Sequence, residues 1–369
     1  MDALTAWNGT RLERGPGTIK LAKPGIYLFV IAFSSVYYLA NAPLLLGHLD
    51  LGWHLAAGDL IRERGSIPFQ DPWSFTLGDR QWYNLSWLWD VIASVVFQYT
   101  GYTGLTLSIV ACGAVIAGYL TSICLGSGAS ALAVGISVLA ACLLYPAFAT
   151  APNSYLSASP NTPTMVFCVI FYAECLKRTR WFLLPVMMVL WANLHGGFVL
   201  GLTLIGPIGL EAVWSAEPGR RRQLVVRWGL FGIAALAASC VTPYGWNSLL
   251  GATKILSLGK LLTLIGEWMP ADFSKPSFFE ATLLGLIGLI CYRGLTLSVP
   301  RILLLLGLVW MALSHIRNIE VFAFIAPLVL AKPMSEQWGM AVVTAARFEE
   351  RRSLPVVTML AAVAMVIGA

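Results

Sequence analysis

Charge is scarce in this chain of 369 residues. Asp, Glu, Lys and Arg together make up 11%, against 58% hydrophobic residues. A soluble domain is usually about 25% charged and about 45–50% apolar. So few charges cannot cover a water-facing surface, which excludes a soluble globular enzyme, a disordered chain and a coiled coil. Histidine is scarcer still, with four residues. The seven cysteines all lie in apolar runs and none forms a CxxC pair, so neither a zinc site nor a disulfide framework is indicated. The Gly-rich phosphate loop, HExxH and the GxSxG elbow are all missing. Nucleotide-sugar chemistry at a cytoplasmic face therefore has no support. The alternating segments of a membrane β-barrel, about ten residues each, are missing too.

What the sequence has is long apolar runs, roughly 24–47, 86–101, 103–125, 131–150, 162–176, 181–193, 197–214, 228–241, 279–293, 299–314, 319–331 and 354–369. Only helices or closed barrels satisfy their backbone in lipid. The expected fold class is therefore an all-α polytopic membrane protein, a helical bundle with about 10–12 membrane segments. Several runs fall short of the ~20 residues of a straight span, so tilted, broken or shallow helices are expected. The expected organisation is a cytoplasmic tail over 1–23, a transmembrane module over 24–331 and a cytoplasmic loop over 332–353. Residues 354–369 read as the start of a further membrane segment.

The net charge is +6, and 17 of the 24 Lys and Arg residues fall in five clusters. These are the N-terminal tail, Lys177-Arg178-Arg180, Arg220-Arg221-Arg222-Arg227, Arg293 with Arg301, and Lys332 with Arg347-Arg351-Arg352. The positive-inside rule puts all five in the cytoplasm, which explains the basic balance without nucleic acid. Between 23 and 177 there are five runs where an even number of crossings is needed. One must be shallow, split or re-entrant. The 86–101 run with Asp90 and the Gly-broken 103–150 region are the candidates.

This sidedness gathers the polar motifs at the outer face. They are His48-Leu49-Asp50, the loop over 48–87, Asn193-Leu194-His195-Gly196-Gly197, Thr242-Pro243-Tyr244-Gly245, Glu267-Trp268-Met269-Pro270 and His315-Ile316-Arg317-Asn318. All four histidines belong to the set. Polar groups at membrane depth are costly and usually mark a functional cavity.

The first outer loop contains an amphipathic stretch over 52–64. It sets Trp53, Leu55, Ala56, Leu60 and Ile61 against Asp59, Arg62, Glu63 and Arg64. That pattern suits a helix lying in the interface, ended by Gly65. Trp73, Trp82, Trp87 and Trp89 form an aromatic set suited to headgroup anchoring or sugar stacking. Asp71-Pro72 marks a turn.

Asp50 stands where the first span leaves the membrane. A carboxylate there can serve as general base for a hydroxyl or amine acceptor. It can equally cap the following helix. Asp50 and His54 are spaced i, i+4 and share a helical face, with His48 close by. That permits a divalent metal on His48, Asp50 and His54, or a simple hydrogen bond. Arg317 has the geometry to bind a phosphate, and Glu320 at i+3 offers it a structural partner instead. His195, between Asn193 and two glycines, can bind phosphate or a sugar hydroxyl, or serve as a core histidine. Glu267 and Trp268 can offer a carboxylate and a stacking face to a sugar, or an interfacial anchor.

Five stretches resemble a bacterial branch of the GT-C membrane glycosyltransferases. These are Asp50-Leu51-Gly52-Trp53-His54-Leu55-Ala56-Ala57-Gly58, residues 67–76 (IPFQDPWSFT), residues 82–88 (WYNLSWL), residues 190–198 (LWANLHGGF) and Thr242-Pro243-Tyr244-Gly245-Trp246. The superfamily includes protein O-mannosyltransferases and the aminoarabinose transferases of lipid A. The likeness extends over most of residues 24–331. It implies a GT-C-like bundle with a long first outer loop over 48–87. It also implies a polyprenyl-phosphate-linked sugar as donor, inverting transfer to a glycan, lipid or protein acceptor, and an active site facing outward from a bacterial inner membrane. The first-loop acid is the family's base, a role that carries to Asp50. Many members have an acidic pair there, whereas Leu51 follows Asp50 here. That departure leaves open a non-catalytic subunit of an envelope polysaccharide complex. A lipid-linked sugar transporter or flippase is a further alternative, although no internal repeat of the transporter kind is present.

Overall fold

The apolar runs fold as helices whose ends coincide with the polar motifs. The computed structural model describes residues 23–47, 50–76, 78, 80–127, 158–177, 182–256, 258–274 and 276–338. Residues 1–22 of the expected 1–23 tail, His48, the 131–150 run, Arg178, Arg180, Arg347, Arg351, Arg352 and the 354–369 run lie outside the described residues.

Twelve α-helices follow one another in these residues. They are α1 (Lys23–Ala40), α2 (Ala42–Leu46), α3 (Leu51–Arg64), α4 (Trp87–Gly126), α5 (Asn161–Lys177) and α6 (Leu183–Leu194). Then come α7 (Phe198–Trp214), α8 (Pro218–Ser239), α9 (Asn247–Leu256), α10 (Phe278–Arg293), α11 (Val299–Ser314) and α12 (Ile319–Gln337). Short 3₁₀ turns occupy Gly259–Leu264, Gly266–Trp268 and Ile316–Asn318. Among the described residues the only strand-like feature is one antiparallel bridge between Gln70 and Gln81. The expected helical fold class stands at this level.

The 86–101 and 103–125 runs form one interrupted helix. Gly101 (φ 62°, ψ −153°) breaks α4 where the sequence separates the runs. The first half of α4 packs on α3, and the second half packs on α1, where a Cβ on Gly113 would strike the ring of Tyr38. The contact between α3 and α4 is close. A Cβ on Gly58 would sit 2.0 Å from the backbone oxygen of Asp90, so only glycine permits this approach.

α3 keeps Asp59, Glu63 and Arg64 of its expected polar face exposed. Leu51, His54, Ala57, Gly58 and Ile61 are buried, while Trp53 is exposed. The bare backbone at Gly58 and the bond from His54 to Asp90 select this face over the larger apolar side chains. One turn beyond Gly58, Arg62 donates to Ser94 Oγ (2.8 Å) and reaches Gln98.

Two sets of helix ends follow from the chain order. His195 caps α6, Thr242 and Tyr244 follow α8, and His315 caps α11, while α3, α4, α5, α7 and α12 begin near the same motifs. The other ends are tied separately. Gln337 Nε2 donates to Thr296 O (2.7 Å), Trp338 Nε1 donates to Gly294 O (2.6 Å), and Arg301 pairs with Glu211. The 19 residues of α12 span about 28 Å at 1.5 Å per residue. The polar motifs and the Arg293–Arg301 cluster are thus roughly a helix length apart.

The core between the helices is aromatic. Trp191, Phe171, Phe198, Tyr172 and Phe324 are fully buried, and Phe167 stacks on Trp191 at 6.0 Å. The outside is apolar as well. Leu28 (72% exposed), Ile233 (67%) and Trp310 (67%) face outward from the middle of α1, α8 and α11. Two helical stretches, Trp87–Gly126 and Ile316–Gln337, are long and apolar enough to cross a membrane.

Candidate functional site

Three hydrogen-bonded groups meet at the helix ends that carry the polar motifs. The first links the first loop to α4. His54 Nδ1 lies 2.6 Å from Asp90 Oδ1, and Asp90 is completely buried. Asn84 Nδ2 donates to the other carboxylate oxygen at 2.7 Å. The orientation of this amide is fixed, because the Ser86 backbone N–H, a donor only, bonds to Asn84 Oδ1 at 3.1 Å. The Asn84 backbone N–H in turn donates to Tyr244 Oη at 3.0 Å. Tyr244 packs edge-on against Phe69 and Tyr83. The chain from α3 through Asp90 and Asn84 thus ends in the Thr242–Gly245 motif.

The second group surrounds the break between α6 and α7. Asn193 spends its amide on the scaffold. Its Nδ2 donates to Val189 O and Val241 O, both at 2.8 Å, and its Oδ1 accepts from Trp87 Nε1 at 3.0 Å. This one side chain ties α6 to the start of α4 and to the segment just after α8. His195 Nδ1 lies 2.9 Å from Thr164 Oγ1 and 3.1 Å from the Gly197 backbone N. Trp191 Nε1 donates to the same Thr164 oxygen at 3.3 Å. Burial, reinforced by the nearby charge of Arg317, pulls the His195 imidazole down to about 3, so the ring stays neutral.

The third group involves Arg317. Its partner is Glu267, not the Glu320 that sequence spacing offered. Arg317 Nη1 donates to Glu267 Oε1 at 2.7 Å, and Nη2 donates to Asn161 Oδ1 at 3.3 Å. The guanidinium lies over the Trp268 ring, 4.5 Å from its centroid, a favourable cation–π placement. His315 Nδ1 lies 2.8 Å from Trp268 O, and Ile316 N donates to Met269 O at 2.9 Å. These bonds fasten the 265–270 segment to the start of α12. Glu320 is buried in the first turn of α12. Burial raises the Glu267 carboxyl above the ordinary glutamate value. Arg317 opposes this, and the charge of Asp50 adds to it.

Those mutual influences bring the predicted residues together. Asp50 acts on Glu267, and Arg317 acts on His195. Asp50 is exposed at the cap position of α3, yet its carboxylate makes no capping hydrogen bond to the first turn. Asp71 is a turn former, its Oδ1 accepting from Trp73 N (2.9 Å) and Ser74 N (3.0 Å). Of the tryptophan set, Trp82 packs against Trp53 at 5.6 Å, Trp89 is buried and Trp73 is exposed.

Of the three candidate metal ligands, His48 lies outside the described residues. His54 gives its Nδ1 to Asp90. Among the described residues, no three His, Cys, Asp or Glu side chains group as a metal would need.

The sequence marked the motifs containing Tyr244 and Asn84 but did not single out Asp90, Asn161 or Thr164 as parts of this site. Asp90 carried the clearest signal, since a carboxylate inside an apolar run needs a partner.

No protein family, curated protein or solved structure matches this chain.

Proposed function

We propose that the protein is a multi-pass membrane glycosyltransferase of GT-C type. It transfers a sugar from a polyprenyl-phosphate donor to a glycan, lipid or protein acceptor at the outer face of a bacterial inner membrane. The membrane part of this proposal is supported by the outward-facing Leu28, Ile233 and Trp310, since a soluble protein rarely exposes so much apolar surface along helix bodies. It is supported further by the basic residues Arg293 and Arg301, a helix length from the polar motifs.

One observation carries the chemistry. An exposed carboxylate, Asp50, lies within electrostatic reach of a guanidinium pair, Arg317 with Glu267, at the same set of helix ends as a neutral histidine. In the transfer, the acceptor oxygen attacks the anomeric carbon as the bond from that carbon to the phosphate oxygen breaks. Asp50 takes the acceptor's proton. The departing phosphate keeps the bonding electrons, and Arg317 stabilises its growing charge. The guanidinium has five donor N–H groups and spends two on Glu267 and Asn161. The remaining donors are available to phosphate oxygens. Trp268 holds the guanidinium plane from one face.

Binding of polyprenyl phosphate to the full chain in nanodiscs tests the proposal. Saturable binding that is weakened by Arg317→Ala is expected. Equal binding by wild type and Arg317→Ala would remove Arg317 from the phosphate site and the proposal with it.

A further inference from the structure

The two histidines nearest the site are wired in opposite ways. At His195, two donors converge on Nδ1. The Gly197 backbone N–H is one. The second is the Thr164 hydroxyl, for a reason set by Trp191. An indole N–H can only donate, so the Thr164 oxygen accepts from Trp191 Nε1. The single hydroxyl proton is then free to point at His195 Nδ1. A nitrogen that accepts two hydrogen bonds carries no proton, so the proton of this neutral ring is on Nε2. A Cβ on Gly197 would sit 2.8 Å from Nδ1 and 2.7 Å from Thr164 Cγ2, so the arrangement requires a glycine there.

At His54 the committed nitrogen is the donor. Asn84 donates to one Asp90 oxygen, and His54 Nδ1 faces the other at 2.6 Å. A carboxylate so placed accepts from Nδ1–H, and in the neutral ring an Nδ1–H leaves Nε2 with a lone pair. Neither Nε2 has a hydrogen-bond partner among the described residues, and neither is sealed away as a buried unsatisfied atom. Each ring thus has one nitrogen spent on the scaffold and one open to a ligand.

We propose that His54 and His195 form a complementary pair in opposite tautomers. His54, positioned by Asp90, accepts a hydrogen bond from a hydroxyl of the transferred sugar. His195, positioned by Thr164 and Gly197, donates one from Nε2–H to a phosphate oxygen of the donor. This rests on the glycosyltransferase proposal for the identity of the ligand, and on the hydrogen-bond wiring for the tautomers. Keeping His195 neutral lets it donate without adding a second full positive charge beside Arg317.

The test has two arms. In the first, the full chain with nitrogen-15 histidine is placed in nanodiscs without ligand, and ring-nitrogen spectra are recorded at neutral pH. His54→Gln and His195→Gln assign the signals among the four histidines. A proton on Nδ1 of His54 and on Nε2 of His195 is expected, and Asp90→Asn should disturb the His54 signals alone. A proton on Nε2 of His54, or a charged or Nδ1-protonated His195, overturns the pair whatever the protein's activity. In the second arm the probe is polyprenyl phosphate. His195→Phe should bind it about tenfold more weakly, the scale of one lost charge-assisted bond, and His195→Gln should restore part of that loss through its amide N–H. Unchanged binding in His195→Phe overturns the phosphate assignment even where the tautomers are as stated. Tautomers as stated, with no polyprenyl phosphate binding by the wild type, would overturn the glycosyltransferase proposal and the two ligand assignments but not the wiring.

Discussion

Arg317 Nη1 lies 2.7 Å from Glu267 Oε1, with both side chains largely buried and Trp268 beneath the guanidinium. An arginine bound to one carboxylate and one amide is oriented but not saturated. Replacing it by alanine removes a charge-assisted donor and leaves Glu267 without its counter-ion. Donor binding should weaken by about 2–3 kcal/mol. Arg317→Lys should recover little, because a single ammonium cannot reproduce the fork. Titration of both variants with polyprenyl phosphate measures this. Full binding by Arg317→Ala, together with a lowered melting temperature, would make Arg317 a purely structural partner of Glu267.

Glu267 should also give the protein a pH-dependent stability. Burial raises its folded-state value, and the charge of Asp50 raises it further against the pull of Arg317. The folded state therefore holds this proton more tightly than the unfolded chain. The stabilising contribution is complete at low pH and is lost as pH rises through the raised value. Glu267→Gln should flatten that slope in a thermal-unfolding series across pH. A slope unchanged by the substitution would contradict the assignment.

Asn193 ties α6 to the start of α4 and to the segment after α8, with a third hydrogen bond inside α6 itself. Asn193→Leu leaves the Val241 carbonyl and the Trp87 indole without these partners, while Val189 O keeps its helical bond within α6. A cost of about 1–3 kcal/mol per stranded buried group is usual, so a fall in melting temperature is expected. Gly58→Ala tests the α3–α4 contact in the same assay. Its Cβ would meet the Asp90 carbonyl, at a cost of about 1–3 kcal/mol for overpacking. Gly52→Ala, with nothing within 4 Å, should be neutral. Equal melting temperatures for Gly58→Ala and Gly52→Ala would show that the close approach is absent.

Sidedness is tested by cysteine labelling in a cysteine-free background. Positions 80 and 254 should react with an impermeant thiol reagent from outside, and position 221 only after the membrane is opened. Labelling of position 221 from outside would invert the topology and remove the outer site.

The helices were legible because apolar runs and their breakers are local. The 299–314 run is α11, and the 197–214 run is α7 to within a residue. Gly101 divides α4 where the runs divide. The 228–241 run begins inside α8 instead, since the helix starts ten residues earlier at Pro218, with the arginines forming its polar first turns. The 319–331 run continues past Pro327 and Pro333 to Gln337.

Long-range pairings were not legible. Spacing offered Glu320 to Arg317, but the bond is to Glu267, 50 residues away. Spacing offered Asp50 to His54, but its Nδ1 is bonded to Asp90, 36 residues on. In both cases helix packing, which no local pattern encodes, brings the preferred partner closer.

The central claim is that Asp50 removes the acceptor's proton. Membranes containing wild type or Asp50→Asn would receive labelled polyprenyl-phosphate monosaccharides, and label reaching acceptor would be followed. Asparagine keeps the shape and remains a good helix cap, but it cannot take up the proton. Transfer should fall about 10²-fold or more, with polyprenyl phosphate binding and expression near wild type. Asp71→Asn, at the turn former, should remain active. Wild-type transfer by Asp50→Asn would contradict the account, removing Asp50 from the mechanism.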